Sequence, residues 1–111
     1  MLAGVQAKAS FVKRKLDALK DRPHVGDIRQ QGLIIGVELV RDKRSREPYD
    51  WADRIGVRAA MRARELGMLT RPLGNVVVFI PPLASTIEEL DAMTDILMES
   101  IIDVTEGGVS A

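Results

Sequence analysis

The sequence predicts an α+β fold, a small mainly antiparallel sheet packed with helices. Three observations carry that prediction. Apolar residues recur at helical spacing near both ends and once in the middle of the chain. Between those stretches lie two pairs of short apolar runs, each pair joined by a few turn-forming residues, the mark of a hairpin. The order is therefore helix, strand, strand, helix, strand, strand, helix, without internal repeat or low-complexity segment. That order suits a layer of helices on one small sheet.

The first helix is marked by Leu2, Val5, Ala9, Val12, Leu16 and Leu19, at alternating steps of three and four residues. Lys8, Lys13, Lys15 and Lys20 fall outside this stripe, so the helix is amphipathic and ends near Asp21-Arg22-Pro23. No Ser, Thr, Asp or Asn precedes Leu2 to cap it. A native chain that continues upstream is the expectation.

Val25 to Gln30 and Leu33 to Val40 flank Gln31-Gly32 and predict a hairpin. The second run is rich in β-branched residues with apolar groups on both faces, which predicts a central, mostly buried strand. Gly36 inside it is either a simple packing constraint or the sign of a bulge or close approach. Arg41 to Pro48 holds six charges in eight residues and is assigned to a solvated loop without a ligand.

Asp50 is the expected cap of a helix whose stripe is Trp51, Ile55, Ala59, Arg62 and Leu66, with Asp53 in its first turn and Gly67 ending it. Leu69 to Arg71 and Val76 to Ile80 form a second hairpin across Pro72-Leu73-Gly74-Asn75. Pro81-Pro82 ends that strand because proline donates nothing to a ladder. Ser85 or Thr86, each with a glutamate three residues on (Glu88, Glu89), announces the last helix. Its core face is Leu90, Met93, Leu97, Ile101 and Val104, and Glu106-Gly107-Gly108 ends it in a frayed tail.

Composition narrows the function. At 111 residues the chain is one domain. Sixteen basic residues balance sixteen acidic ones, so no overall field draws nucleic acid or an anionic membrane. Cysteine is absent, which excludes disulfides and thiolate chemistry. The longest apolar runs are far short of the roughly 20 residues that span a bilayer. A cytoplasmic protein is expected.

The catalytic inventory is thin. His24, the single histidine, lies beside Pro23 and reads as a solvated or capping residue rather than a base. No cluster has metal-ligand spacing, no serine sits on a nucleophile elbow, and the glycines form no phosphate loop. Arg71 remains, placed where a strand ends and held by Pro72. Its guanidinium could clamp a carboxylate in two-pronged fashion, though spacing alone favours an ordinary surface ion pair.

Three stretches carry a resemblance: H-V-G-D-I-R-Q-Q-G-L-I-I-G-V-E-L-V, R-E-P-Y-D-W and G-M-L-T-R-P-L-G-N-V-V-V-F-I-P-P-L. Together they resemble the C-terminal part of the class III, pyridoxal-phosphate-dependent aminotransferases, most of all the branch that aminates 8-amino-7-oxononanoate in biotin biosynthesis. The resemblance runs from the first helix to about Thr105 and is most specific from Leu69 to Leu83. It implies the small C-terminal domain of the fold-type I transferases, residues 1–111, with Arg71 binding the substrate carboxylate and no catalytic, cofactor-binding or metal-binding residue in this chain. Pyridoxal phosphate, its Schiff-base lysine and the aspartate facing its ring nitrogen would belong to a large domain absent here, since Lys8, Lys13, Lys15, Lys20 and Lys43 match no such position. The partners implied are 8-amino-7-oxononanoate, an amino donor (S-adenosylmethionine or lysine) and a second subunit of a homodimer. Other class III ω-aminotransferases, and a stand-alone α+β binding or interaction module, are the alternatives. Isolated, the chain is expected to be inactive and to expose an apolar patch.

Overall fold

A computed structural model describes residues 2–82 and 84–106, and within the first helix it leaves the side chains of Leu2, Ala3 and Val5 undescribed. The sequence readings that fall on Leu2, Val5, Leu83, Gly107 and Gly108 therefore lie outside what is described.

Helix α1 (Leu2–Leu16) runs into a 3-10 turn at Asp17–Leu19, so the chain leaves α-helical geometry a turn earlier than periodicity predicted. Val12, Leu16 and Leu19 are all buried, which keeps the predicted stripe intact across that tightening. Strands β1 (Val25–Gln31) and β2 (Ile34–Asp42) form the first hairpin. Its turn is Gly32-Leu33, one residue later than expected, with Gly32 at φ +59° where other residues are strained.

Strand β3 (Glu47–Pro48) pairs briefly with the end of β2, so the charged loop is anchored at its far end while remaining exposed throughout. After a 3-10 turn at Trp51–Asp53 come α2 (Ile55–Glu65), β4 (Arg71–Leu73), β5 (Val76–Phe79) and α3 (Ile87–Thr105). The sheet order is β1-β2-β5-β4, all pairs antiparallel, with β2 central as predicted and β4 at the edge. An edge is where Pro72, lacking an N–H, can sit in a strand.

All three helices pack together: α1 and α2 both lie against α3, and α2 also lies against β4 and β5. The core gathers Ile35, Val37 and Leu39 of β2, Val77 and Phe79 of β5, Ile55, Ala59 and Ala63 of α2, and Leu90, Leu97 and Ile101 of α3. In α3 the hydroxyls of Thr94, Ser100 and Thr105 each donate to the carbonyl four residues back at 2.6 Å, so no buried hydroxyl of that helix lacks a partner.

Several expectations are corrected. The two faces of β2 differ: Ile35, Val37 and Leu39 on one are buried, whereas on the other Ile34 and Glu38 are exposed and only Val40, near the strand's end, is buried. Of the two readings of Gly36, the bulge or close approach is the one not found: it pairs in register with Arg29 and Val78, and a Cβ there would make only ordinary contact with Val76 at 3.5 Å. The irregularity in β1 falls at Gly26, where a Cβ would stand 2.7 Å from Val40 Cγ1. Asp50 makes no side-chain cap, because α2 starts five residues later, after Arg54 takes left-handed dihedrals (φ 50°, ψ 44°). That break shifts the helical phase, and Trp51 ends 86% exposed instead of in the stripe. Asp53 then pairs with Arg41 at 2.9 Å.

Candidate functional site

Arg71 opens β4 opposite Val78. Val78 faces Gly36 of β2, and Gly36 faces Arg29 of β1. Directly paired residues of an antiparallel sheet point to the same side, so these four make one row across the uncovered face. With no side chain at Gly36 the middle of the row is a shallow depression lined by Arg29, Gln31, Ile34 and Val78. The next row is Leu73, Val76, Glu38 and Asp27. The face is thus apolar in its centre, basic along one row and acidic along the next at the β1 and β2 end.

The two arginines of the first row differ. Arg29 Nε donates to Asp27 Oδ2 at 3.0 Å, and that guanidinium holds the Asp27 carboxyl below the usual carboxylate range. Arg71 is exposed and has no hydrogen-bond or ion-pair partner among the described residues. The surface ion pair that spacing favoured is not found among the described residues. Its five N–H donors remain available to an external carboxylate.

The hairpin that presents Arg71 is tightly held. Gly74 turns the chain at φ +60°. Asn75 then reaches two other elements: its Nδ2 donates to the Tyr49 carbonyl at 3.4 Å, and its carbonyl accepts from the Leu39 N–H at 2.8 Å. From the helical side Gly56 of α2 meets the turn so closely that a Cβ would lie 2.3 Å from the Gly74 carbonyl oxygen. Sequence reasoning placed Arg71 at the end of a strand and the turn at Pro72 to Asn75. The strand instead starts at Arg71 and takes in Pro72 and Leu73, which pair with Val77 and Val76, so the turn is Gly74-Asn75 alone. Gly56 was also missed. A glycine inside a predicted helix, where it caps nothing, was the available signal.

Beside Arg71 the hydroxyl of Thr70 is buried without a partner, alone among the described side-chain atoms in this. A buried hydroxyl left so costs about 1–3 kcal/mol. His24 is structural, its Nδ1 lying 3.1 Å from the Val40 carbonyl and its ring 6.0 Å from Tyr49.

The lysines do not fit a pyridoxal phosphate site. Lys15 pairs with Asp91 and Asp95, Lys20 with Asp17, and Lys43 bonds the Lys20 carbonyl. Lys8 and Lys13 lie on α1, which is not among the elements that hold the Arg71 hairpin. No step through that cofactor follows from these residues. Among the described residues no helix is long and apolar enough to cross a membrane.

A profile of the family described as aminotransferase class-III matches residues 1–101. The adenosylmethionine-8-amino-7-oxononanoate aminotransferase of Anoxybacillus flavithermus is 53% identical over 106 residues, 96% of this chain and 23% of that protein. The crystal structure of the enzyme of the same name from Methanocaldococcus jannaschii superimposes with a TM-score of 0.85 at 39% identity, over 89% of this chain and 23% of that one. An aminotransferase from Vibrio fluvialis in its PMP-bound form gives 0.89 at 32% identity, over 94% of this chain and 23% of that one. The chain thus spans about a quarter of the length of the relatives it matches.

Proposed function

Because the chain belongs to the class-III aminotransferases, a pyridoxal-phosphate-dependent family, we propose that it is the small C-terminal domain of a larger enzyme that aminates 8-amino-7-oxononanoate, with Arg71 as the anchor of the substrate carboxylate. The carrying observation is the state of Arg71: exposed, unpaired among the described residues, and presented by a hairpin fixed from three sides. A surface arginine with no role needs no such mounting. The relatives that share the name of this reaction support the choice of substrate.

In the larger enzyme pyridoxal phosphate, held by residues outside this chain, would supply the chemistry of amino transfer, with S-adenosylmethionine or lysine as the donor. This domain's own contribution is binding and orientation. A guanidinium gripping a carboxylate at two oxygens fixes both distance and direction, so the ketone of the oxononanoate is held at one place relative to the reacting group. The unpartnered Thr70 hydroxyl and the uncovered sheet face agree with a chain that packs against further protein: a large domain, and a second subunit in a cytoplasmic homodimer.

The test is Arg71→Ala in the full-length enzyme. Losing a hydrogen bond between charged groups, worth about 1.5–3 kcal/mol, raises KM for 8-amino-7-oxononanoate by roughly 10- to 100-fold while the cofactor absorbance is unchanged. An unchanged KM overturns the assignment. Arg71→Lys keeps the charge but not the fork, so its KM falls between the two.

A further inference from the structure

We propose that Gly56 is a positioning residue for the carboxylate anchor, setting the place of Arg71 through direct backbone contact between α2 and the Gly74 turn; this rests on the reading of Arg71 given above. A glycine inside a helix costs about 1 kcal/mol relative to alanine, so one in the first turn of α2 calls for a reason. Here the reason is contact. A Cβ on Gly56 would meet the Gly74 carbonyl oxygen at 2.3 Å, the Gly74 carbonyl carbon at 3.4 Å and Pro72 Cβ at 3.6 Å.

The first of these is a backbone atom and cannot rotate aside. Carbon and carbonyl oxygen approach no closer than about 3.3 Å even in favourable weak contacts, so any side chain at position 56 moves the turn by about 1 Å. The turn is also tethered to β2 through Leu39 and to the Tyr49 carbonyl through Asn75. It therefore cannot retreat as a unit, and the hairpin tilts. Arg71 opens the short edge strand β4 three residues before Gly74, and within the sheet that strand has only β5 beside it. A tilt at the turn reaches its guanidinium, and a misplacement of about 1 Å at a positioning group costs as much as 100-fold in rate.

The experiment is a double-mutant cycle in the full-length enzyme, with 8-amino-7-oxononanoate as the varied substrate. Gly56→Ala, Arg71→Ala and the double variant are compared for KM, kcat and cofactor absorbance. The expected result is a roughly tenfold rise in KM for Gly56→Ala with cofactor absorbance unchanged, and no further rise when it is added to Arg71→Ala, since its effect passes through Arg71. An equal rise in both backgrounds, or none with Arg71 in place, overturns the proposal. The Arg71→Ala single variant keeps the two claims apart: if it leaves KM unchanged the anchor reading fails, whereas if it raises KM and Gly56→Ala does not, only the role of Gly56 fails.

Should Gly56→Ala not fold, Gly74→Ala enters the same cycle. A Cβ at Gly74 meets nothing within 4 Å, so its effect comes from φ +60° alone. It is expected to raise KM only in the presence of Arg71. Gly74→Asn, which tolerates left-handed backbone, restores most of the affinity. A KM unaffected by Gly74→Ala overturns the proposal in that case.

Discussion

Thr86 and Glu89 exchange hydrogen bonds at the start of α3: the Glu89 N–H donates to the Thr86 hydroxyl at 3.1 Å, and the Thr86 N–H donates to the Glu89 carboxylate at 2.8 Å. This reciprocal box satisfies amides that a helix leaves open at its first turn and puts negative charge at the positive end of the dipole. Thr86→Ala is expected to lower the stability of the chain by about 1 kcal/mol in urea denaturation. A loss below a few tenths would show that solvent satisfies those amides as well as Thr86 does. Ser85, the other candidate cap, instead donates to the Pro82 carbonyl at 2.7 Å, so Ser85→Ala leaves the box in place.

Leu97 has no exposed surface and lies on the face of α3 that meets the rest of the core. Leu97→Ala removes its transfer energy and leaves a cavity, together about 2–5 kcal/mol. Against a total of about 5–15 kcal/mol for an ordinary domain, that is enough to shift the unfolding midpoint visibly. A loss under 1 kcal/mol would mean that neighbouring side chains collapse into the space.

Tyr49, the single tyrosine, is half-buried near His24. Burial raises its pKa above the ordinary value near 10, although Arg58 and Arg41 pull the other way. The folded state then holds the phenol proton more tightly than the unfolded chain does. Stability from this group is complete below pH of about 10 and is lost as pH rises through the folded value. With one tyrosine, phenolate absorbance reports it directly: the midpoint should lie above that of the same chain in urea. Tyr49→Phe should flatten the alkaline part of the stability profile, and coincident midpoints would refute the shift.

The elements that the sequence predicted well are those decided locally. The Thr86 box, the two hairpins and the stripe of Ile55 and Ala59 depend on residues a few positions apart, and each is found, although the first strand of the second hairpin is Arg71–Leu73 and not Leu69 to Arg71. The centrality of β2 was also readable, from its run of β-branched residues. What was missed depends on distant contacts. The irregularity of β1 at Gly26, where Val40 across the hairpin leaves no room for a Cβ, was not foreseen. Trp51 left the α2 stripe because Arg54 breaks the helix with a left-handed residue, an event helical periodicity does not register. The row that Arg71 makes with Val78, Gly36 and Arg29 required the register, and the close approach of Gly56 to the Gly74 turn required the packing of α2.

The uncovered sheet face carries the last prediction. Ile34 is 51% exposed, and Leu73 and Ile80 are each 60% exposed, on the side of the sheet away from the helices. Val76 and Val78, half-buried between them, make the patch continuous. Scattered apolar side chains are normal on a protein surface, but a contiguous patch bordered by charged residues marks a place where other protein binds. The 111-residue chain should therefore enhance ANS fluorescence without denaturant, and Ile34→Thr with Ile80→Thr should reduce that signal while leaving the helical circular dichroism unchanged. Both residues lie outside the core cluster, so a loss of fold is not expected from either. A chain that leaves ANS dark would show that the face is covered by the chain itself or by a second copy. Sedimentation of the same sample separates these outcomes, because only the second doubles the mass.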